Sequence, residues 1–177
     1  KVAATVGLGG VKLWDGDKLV PLNPVTNRLA RVGKTDTTSW MEMISRGVPY
    51  KGKKVDILVR ITVFSGQREA KVEAVSLTGE KVQFATGINY FKDFGTKKGT
   101  NYIAVWGKHP EDVAAEIVEV GGAIKYNPKD FEKNTDDGTQ YLLISKPAKN
   151  IETTILSSCA RETELNTLDK LEAYIKK

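Results

Sequence analysis

The chain has 177 residues, of which 40% are hydrophobic and 28% charged, as in an ordinary globular domain with enough chain to bury a core. No apolar run approaches the ~20 residues that a transmembrane helix needs, so we expect no membrane span. The single cysteine, Cys159, excludes an internal disulfide and a cysteine zinc site.

The chain as a whole has a net charge of +5, and its positive charge is concentrated in the first half. Residues 1–90 carry 14 Lys and Arg against 8 Asp and Glu, whereas residues 91–177 carry 13 against 14. A basic half favours a polyanionic partner, either a nucleic acid or an acidic polysaccharide, although a mixed surface that only maintains solubility gives similar counts. Basic and aromatic residues do not interleave as in single-strand binders, so we expect no nucleic-acid partner.

The N-terminal glycines predict backbone structure and no cofactor. Gly7-Leu8-Gly9-Gly10 lacks the Lys-Ser/Thr of a phosphate-binding loop and the helix of a dinucleotide fold, so it predicts a strand with close backbone approach. Residues 15–17 and 136–138 are Asp-Gly turns without the ligand series of a calcium loop. We therefore expect neither a cofactor nor a metal.

Alternating β-branched residues give the clearest structural signal. Residues 54–64 alternate with period two, residues 65–67 form a turn, and residues 70–74 alternate again, which predicts a long hairpin. Shorter strands are predicted over residues 82–85, 102–106, 115–120, 141–145 and 152–160, separated by Gly, Pro, Asn and Asp. This spacing predicts a mostly β, antiparallel sandwich.

Residues 168–177 predict a short C-terminal helix, since Leu168, Leu171 and Ile175 share one face and Asn166 or Thr167 can cap it. Residues 1–177 are expected to form a single β-sandwich domain. Residues 1–6 resemble the middle of a strand, which favours a fragment of a longer protein.

Loop-proximal polar and aromatic residues are the candidates for a site. His109, the only histidine, follows a predicted strand and precedes Pro110, where an imidazole can act as a general base or be an ordinary surface residue. Trp14, Trp106 and Tyr90 can stack on sugar rings or fill the core, and Trp40 is expected in the core. Arg46 and Arg60 lie on or beside the hairpin and can hold a carboxylate bidentately.

Several segments together resemble an uncharacterised bacterial family, domain of unknown function 4861. They are the glycine-rich strand, tryptophan and turn of residues 7–19, the hairpin of residues 55–64 and 68–76, residues 86–90, and residues 159–175. The resemblance implies that the chain is the C-terminal part of a larger domain. It also implies a galactose-mutarotase-like supersandwich in a periplasmic or extracellular protein of polysaccharide-degrading bacteria. Relatives of that fold bind sugars on a concave sheet face, but a mutarotase-type site normally uses two histidines and this sequence has one.

The resemblance leads us to expect a carbohydrate-processing or carbohydrate-binding domain that acts on plant-type glycans, uronate-bearing ones among them. As an enzyme, a lyase or hydrolase, it would use His109 or Tyr90 for proton transfer and Arg46 to neutralise the carboxylate. As a binding module, it would hold an oligo- or polysaccharide on Trp14, Trp106 or Tyr90, with Arg60 on a carboxylate. The third hypothesis is a structural or oligomer-forming β domain without catalysis.

Overall fold

The computed structural model describes residues 4–114 and 116–177. Within them, two antiparallel sheets and one C-terminal helix form a sandwich-like arrangement, as the sequence predicts. The elements are β1 (Lys12–Trp14), β2 (Leu19–Val20), β3 (Asn27–Lys34), β4 (Thr38–Tyr50), β5 (Lys53–Phe64), β6 (Ala70–Ser76), β7 (Phe84–Asn89), β8 (Gly95–Lys98), β9 (Tyr102–Lys108), β10 (Glu119–Tyr126), β11 (Phe131–Asp136), β12 (Gln140–Ser145), β13 (Asn150–Cys159) and α1 (Leu168–Ile175), with a 3-10 turn at Pro128–Asp130.

The two sheets differ in size. The smaller has the order β11-β12-β7-β1-β2, and the larger has the order β3-β4-β5-β6-β13-β10-β9-β8. The predicted hairpin is confirmed as β5 and β6, which pair from Ile57 with Ser76 to Val63 with Ala70. The strands β3, β4 and β5 form a long extension at one side of the larger sheet.

The main core lies between the two sheets. Leu13, Phe84 and Leu143 of the smaller sheet are fully buried against residues of the larger sheet such as Ile57 and Ile124. The inward-facing residues of β5 follow the alternation seen in the sequence, because every second side chain of a strand points to the same face.

A second core lies on the outer face of the larger sheet, beneath α1. Leu171 and Ile175 of the helix are buried against Ala104, Trp106 and Leu156. The Thr167 hydroxyl accepts a hydrogen bond from the Lys170 amide and caps the helix. With eight residues, α1 does not have the length or apolarity of a membrane-crossing helix, and no other helix of the described residues does.

One strand prediction is wrong in its position. The sequence predicts a strand at residues 115–120 followed by a Gly121-Gly122 break, but β10 begins at Glu119 and both glycines lie inside it. They are needed for packing: a Cβ on Gly121 would overlap the Trp106 ring, and one on Gly122 would crowd Ile88. Residue 115 lies outside the described residues.

The predicted N-terminal strands are also not formed as expected. Residues 1–3 of the first lie outside the described residues, and residues 4–6 have no strand conformation. Gly7 and Gly9 have positive φ, and only Leu8 makes a bridge, with Ile88. The close backbone approach is present at Gly9, whose amide donates to the Gly87 carbonyl at 2.8 Å.

Candidate functional site

A row of charged residues crosses the outer face of the larger sheet. The strand registers place Arg31, Glu42, Arg60, Glu73 and Glu152 directly opposite one another on five adjacent strands. Directly opposed side chains of a sheet have Cβ atoms about 5 Å apart, so neighbours in this row can interact. We call these five residues, with Trp40 and Lys71, the charged row.

Glu42 is the centre of the charged row. Its side chain is 0% exposed and lies between Arg31 on β3 and Arg60 on β5. Arg60 donates from Nε to Glu42 Oε2 at 2.7 Å, and Arg31 Nε donates to Oε1. Burial on its own would raise the pKa of Glu42, but the hydrogen bonds from Arg60 and Arg31 outweigh it and hold the pKa below its usual value.

The two arginines have hydrogen-bonding capacity that Glu42 does not use. The side chains of Arg31 and Arg60 are 63% and 40% exposed, so both reach solvent. A guanidinium has five N–H donors in a planar fork. A single carboxylate oxygen cannot accept hydrogen bonds from all of them. The Arg31–Glu42–Arg60 group therefore has a net charge of +1 and can donate to a second carboxylate or to hydroxyl groups.

Trp40 lies beside these arginines on the outer face and is not the core residue that the sequence predicts. It is half-buried, because α1 packs over β8, β9 and β10 and leaves β4 uncovered. The indole lies against Gly33, where an added Cβ would overlap Cζ2, and the Arg60 guanidinium carbon is 5.1 Å from the ring centre. Gly33 thus makes room for the ring, and Arg60 is held by both a carboxylate and an aromatic face.

The charged row leads towards α1 through Lys71. Lys71 Nζ is 3.2 Å from Glu73 Oε1 and 3.5 Å from Glu152 Oε2, and the hydrogen bond to Glu73 raises the lysine pKa. Lys71 also lines a groove of about 640 Å³ between the β5–β6 hairpin and the helix, with Lys125, Thr154 and Tyr174. The outer face therefore offers donors, acceptors and two aromatic residues along one continuous surface.

Arg60 is the one predicted site residue that belongs to the charged row. Arg46, predicted to neutralise a carboxylate, lies four residues beyond Glu42 on β4, about 13 Å along the strand. It is half-exposed and pairs with Asp56 at 3.4 Å.

His109 follows β9 and lines a cavity of about 550 Å³ with Asn89, Cys159 and Glu162. Its ring makes edge contacts with Phe91 and Phe94, at centroid distances of 4.9 and 5.8 Å. The Nδ1 atom is shielded from solvent and has no hydrogen-bond partner among the described residues.

Tyr90 follows β7 and is stacked on Tyr141, with ring centres 4.6 Å apart. Its hydroxyl donates to Asp136 Oδ1 at 2.6 Å, and this hydrogen bond raises the Tyr90 pKa to about 12. At neutral pH the phenol stays protonated, so Tyr90 can donate a hydrogen bond but is a poor general base.

The three residues predicted to be catalytic do not form one cluster. Phe91 follows Tyr90 in the chain and contacts His109. Tyr90 and His109 therefore lie in one region of the molecule, but their side chains have different partners. Arg46 is on β4, five strands from β9 in the larger sheet, or about 24 Å at roughly 4.8 Å per strand.

The two tryptophans predicted to bind sugar lie on other surfaces. Trp106 is only 8% exposed and belongs to the core beneath α1, where its Nε1 donates to Glu119 at 3.2 Å. Trp14 is half-buried on β1 of the smaller sheet, with Lys133 Nζ 5.4 Å from its ring centre. Neither lies in the charged row.

Sequence reasoning missed Arg31, Glu42 and the position of Trp40. The available signal is the alternation of Trp40, Glu42 and Ile44 on one face of β4, which places a carboxylate inside a strand of otherwise apolar character. Its partners come from β3 and β5, and only the register of those strands identifies them.

Metal ligands are not grouped in the part of the chain that the structure describes: residues 4–114 and 116–177 contain no cluster of three His, Cys, Asp or Glu that could hold an ion. The side chains of the charged row can bind a ligand through hydrogen bonds and charge pairing.

No curated protein matches the sequence. The sequence profile of one family, described as a domain of unknown function (DUF4861), matches residues 1–177. The chain belongs to the DUF4861 family.

Proposed function

We propose that this domain binds plant-type polysaccharides, with a preference for uronate-bearing ones, on the charged row of the larger sheet. The observation that carries the proposal is the Arg31–Glu42–Arg60 group, in which a fully buried carboxylate fixes two partly exposed guanidinium groups. A uronate carboxylate matches the planar fork of an arginine. The net charge of +1 of the Arg31–Glu42–Arg60 group favours an anion at this position.

The hydrogen-bonding pattern of the row supports a sugar ligand. Beyond Arg60 the row continues with Glu73, Lys71 and Glu152, so acceptors and donors alternate along the surface. Sugar hydroxyls both donate and accept, and neighbouring hydroxyls can bridge such pairs. Trp40 and Tyr174 lie towards opposite ends of this surface and offer apolar ring faces for the C–H groups of a sugar.

Binding is proposed in preference to catalysis because the predicted catalytic residues have separate surroundings. Tyr90 has a pKa of about 12, and Arg46 is about 24 Å, across the sheet, from the strand that ends before His109. A lyase would need a base close to the arginine that neutralises the uronate. The lyase or hydrolase hypothesis stays a prediction that an assay for unsaturated products can test.

Calorimetric titration with oligogalacturonate, and with the same oligosaccharide after reduction of its carboxyl groups, tests the proposal. We expect binding of the acidic form and at least tenfold weaker binding of the neutral form, since a charge-assisted hydrogen bond contributes about 1.5 kcal/mol or more. Arg60→Gln should weaken binding of the acidic form by a similar factor.

Arg161→Gln is the matched control, because Arg161 also forms an exposed ion pair, with Glu116, but lies outside the charged row. It should leave the affinity unchanged. Equal affinity for the two oligosaccharides, or equal losses in the two variants, would contradict a uronate site at Arg60. Absence of binding across acidic and neutral plant glycans would leave the structural-domain hypothesis instead.

A further inference from the structure

The four edges of the two sheets are not equally protected. β2 has two residues, β8 has four and packs against α1, and β11 is interrupted by a register shift between Phe131 and Lys133. Short strands, covering elements and bulges are the usual means of blocking an edge. The remaining edge, β3, has eight residues in unbroken register with β4.

The outer side of β3 is open in the part of the chain that the structure describes. Within residues 4–114 and 116–177, β3 pairs with β4 alone and is the terminal strand of the larger sheet. A strand has backbone N–H and C=O groups on both sides, so those of β3 that point away from β4 can pair with another strand.

Apolar side chains continue past this edge. The inward-facing side chains Val32, Met41 and Val63 are 80%, 53% and 48% exposed, because β3, β4 and β5 extend beyond the smaller sheet. With Ile61 they line a groove of about 610 Å³ next to β3. A strand added to β3 would extend the sheet and cover part of this apolar surface. The exposed side chains are contiguous, and such a patch is larger than singly scattered apolar residues form.

The charge of β3 selects the kind of strand. β3 contains Arg28, Arg31 and Lys34 and no acidic residue. A second copy of β3 placed alongside would bring like charges together, which is destabilising, whereas acidic side chains opposite these residues are favourable. Charge therefore opposes self-pairing of this edge and favours an acidic strand.

We propose that β3 is a docking edge for a β-strand of a partner protein that has acidic residues opposite Arg28 and Lys34 and apolar residues opposite Ala30 and Val32. The partner strand adds to the larger sheet by main-chain hydrogen bonds, and its side chains provide the specificity. Arg31 is shared with the charged row, whereas Arg28, Val32 and Lys34 belong to the docking edge only.

The register of β3 defines a probe. Read antiparallel to β3, the peptide Glu-Thr-Val-Glu-Val-Leu-Glu places glutamates opposite Lys34, Arg31 and Arg28, and apolar residues opposite Val32, Ala30 and Leu29. Fluorescence anisotropy of the labelled peptide should show saturable binding that weakens with added salt, because exposed charges are screened within about 10 Å at 0.1 M. A scrambled peptide of the same composition should bind at least tenfold more weakly.

Val32→Asp should weaken peptide binding at least tenfold, because it places a negative charge opposite an apolar residue beside the glutamates. The Val32 side chain is 80% exposed, so the substitution should not disturb folding. Thermal unfolding of the variant checks this. Leu77→Asp, at an exposed leucine that follows β6, is the matched control and should leave binding unchanged.

Two results would overturn the proposal. One is equal binding of the designed and scrambled peptides, or of the Val32→Asp and Leu77→Asp variants. The other is concentration-dependent dimerisation in analytical ultracentrifugation that Val32→Asp abolishes, since it would make a second copy of the chain the occupant of this edge.

Discussion

The carboxylate of Glu42 has no exposed surface, yet both of its arginine partners reach water. This asymmetry sets the energetics of the group. Removing one partner of a fully buried ion pair typically costs 3–5 kcal/mol, because a charge remains buried without compensation. Here the charges left behind after loss of Glu42 can be hydrated, so a smaller cost is expected.

Glu42→Gln should lower the free energy of unfolding by about 2 kcal/mol, below the range for fully buried pairs. The amide keeps the shape of the side chain, removes its charge and replaces one of the two acceptor oxygens with an N–H donor. Urea unfolding measures the effect, with Glu80→Gln as the control. Glu80 pairs with Lys53 at 3.1 Å on the exposed surface, where such pairs contribute about 0–1 kcal/mol. Equal losses in the two variants would show that Glu42 does not hold the arginines.

The same group predicts a pH dependence. The pKa of Glu42 is held below its usual value in the folded chain, so unfolding takes up a proton at pH values between the folded and the unfolded pKa. The stabilisation by Glu42 is therefore complete above about pH 4.5 and is lost as the pH falls through the folded pKa. The stability difference between the wild type and Glu42→Gln should shrink from pH 7 towards pH 3. A difference that does not change with pH would contradict the assignment.

Gly87 has a backbone geometry that leaves no room for a side chain. Its φ is +153°, and an added Cβ would overlap the Tyr141 carbonyl oxygen on β12. Gly87→Ala should lower the free energy of unfolding by about 3 kcal/mol or more, because either the β7–β12 pairing or the backbone conformation must change. Gly138→Ala, at a turn with φ +86° and open space around it, should cost about 1 kcal/mol. Urea unfolding of the two variants compares them directly, and similar costs would contradict the steric role of Gly87.

At the scale of elements, α1 is held by its apolar face. Leu171 is fully buried against the outer face of β9 and β10, whereas Leu168 is only partly buried at the helix start. Leu171→Ala should lower the free energy of unfolding by about 3 kcal/mol through lost burial and the cavity that remains, and Leu168→Ala by clearly less. Thermal unfolding of the two variants tests the order, and a larger loss for Leu168→Ala would contradict the packing described.

Elements with local signals can be predicted from the sequence, and those defined by distant partners cannot. The period-two alternation of residues 54–64 predicts β5, and the spacing of Leu168, Leu171 and Ile175 predicts α1. The sequence misplaces β10 because Gly121 and Gly122 are typical of a break, and only contact with Trp106, Leu171 and Ile88 explains glycines inside a strand. β3 and most of β4 have no strong alternation of buried residues, since their faces are largely uncovered.

At the scale of the whole molecule, the charged row depends on register. Arg31, Glu42, Arg60 and Glu73 span more than forty positions of the chain and meet because four consecutive strands pair in one alignment. A shift of one residue in any pair would move a member of the row to the other face. The sequence therefore predicts Arg60 as a ligand-binding residue but cannot identify Glu42 as its partner.

The unequal size of the sheets creates both surfaces proposed to bind. The larger sheet leaves the outer faces of β3, β4 and β5 outside the cover of α1, and their inner faces extend past the smaller sheet. The outer face has the charged row and the inner face has the apolar groove beside β3. A glycan would thus lie on the outer face of this three-stranded extension, and a protein strand would add to its β3 edge, beside the groove of the inner face.

The most direct test of a uronate site on the outer face uses the three tryptophans of the chain. Their indole N–H signals in a ¹⁵N-labelled sample report on the charged row (Trp40), the smaller sheet (Trp14) and the core beneath α1 (Trp106). On titration with oligogalacturonate, we expect a saturable shift of the Trp40 signal while those of Trp14 and Trp106 stay in place. A shift of the Trp14 or Trp106 signal with Trp40 unchanged would contradict a uronate site on the charged row.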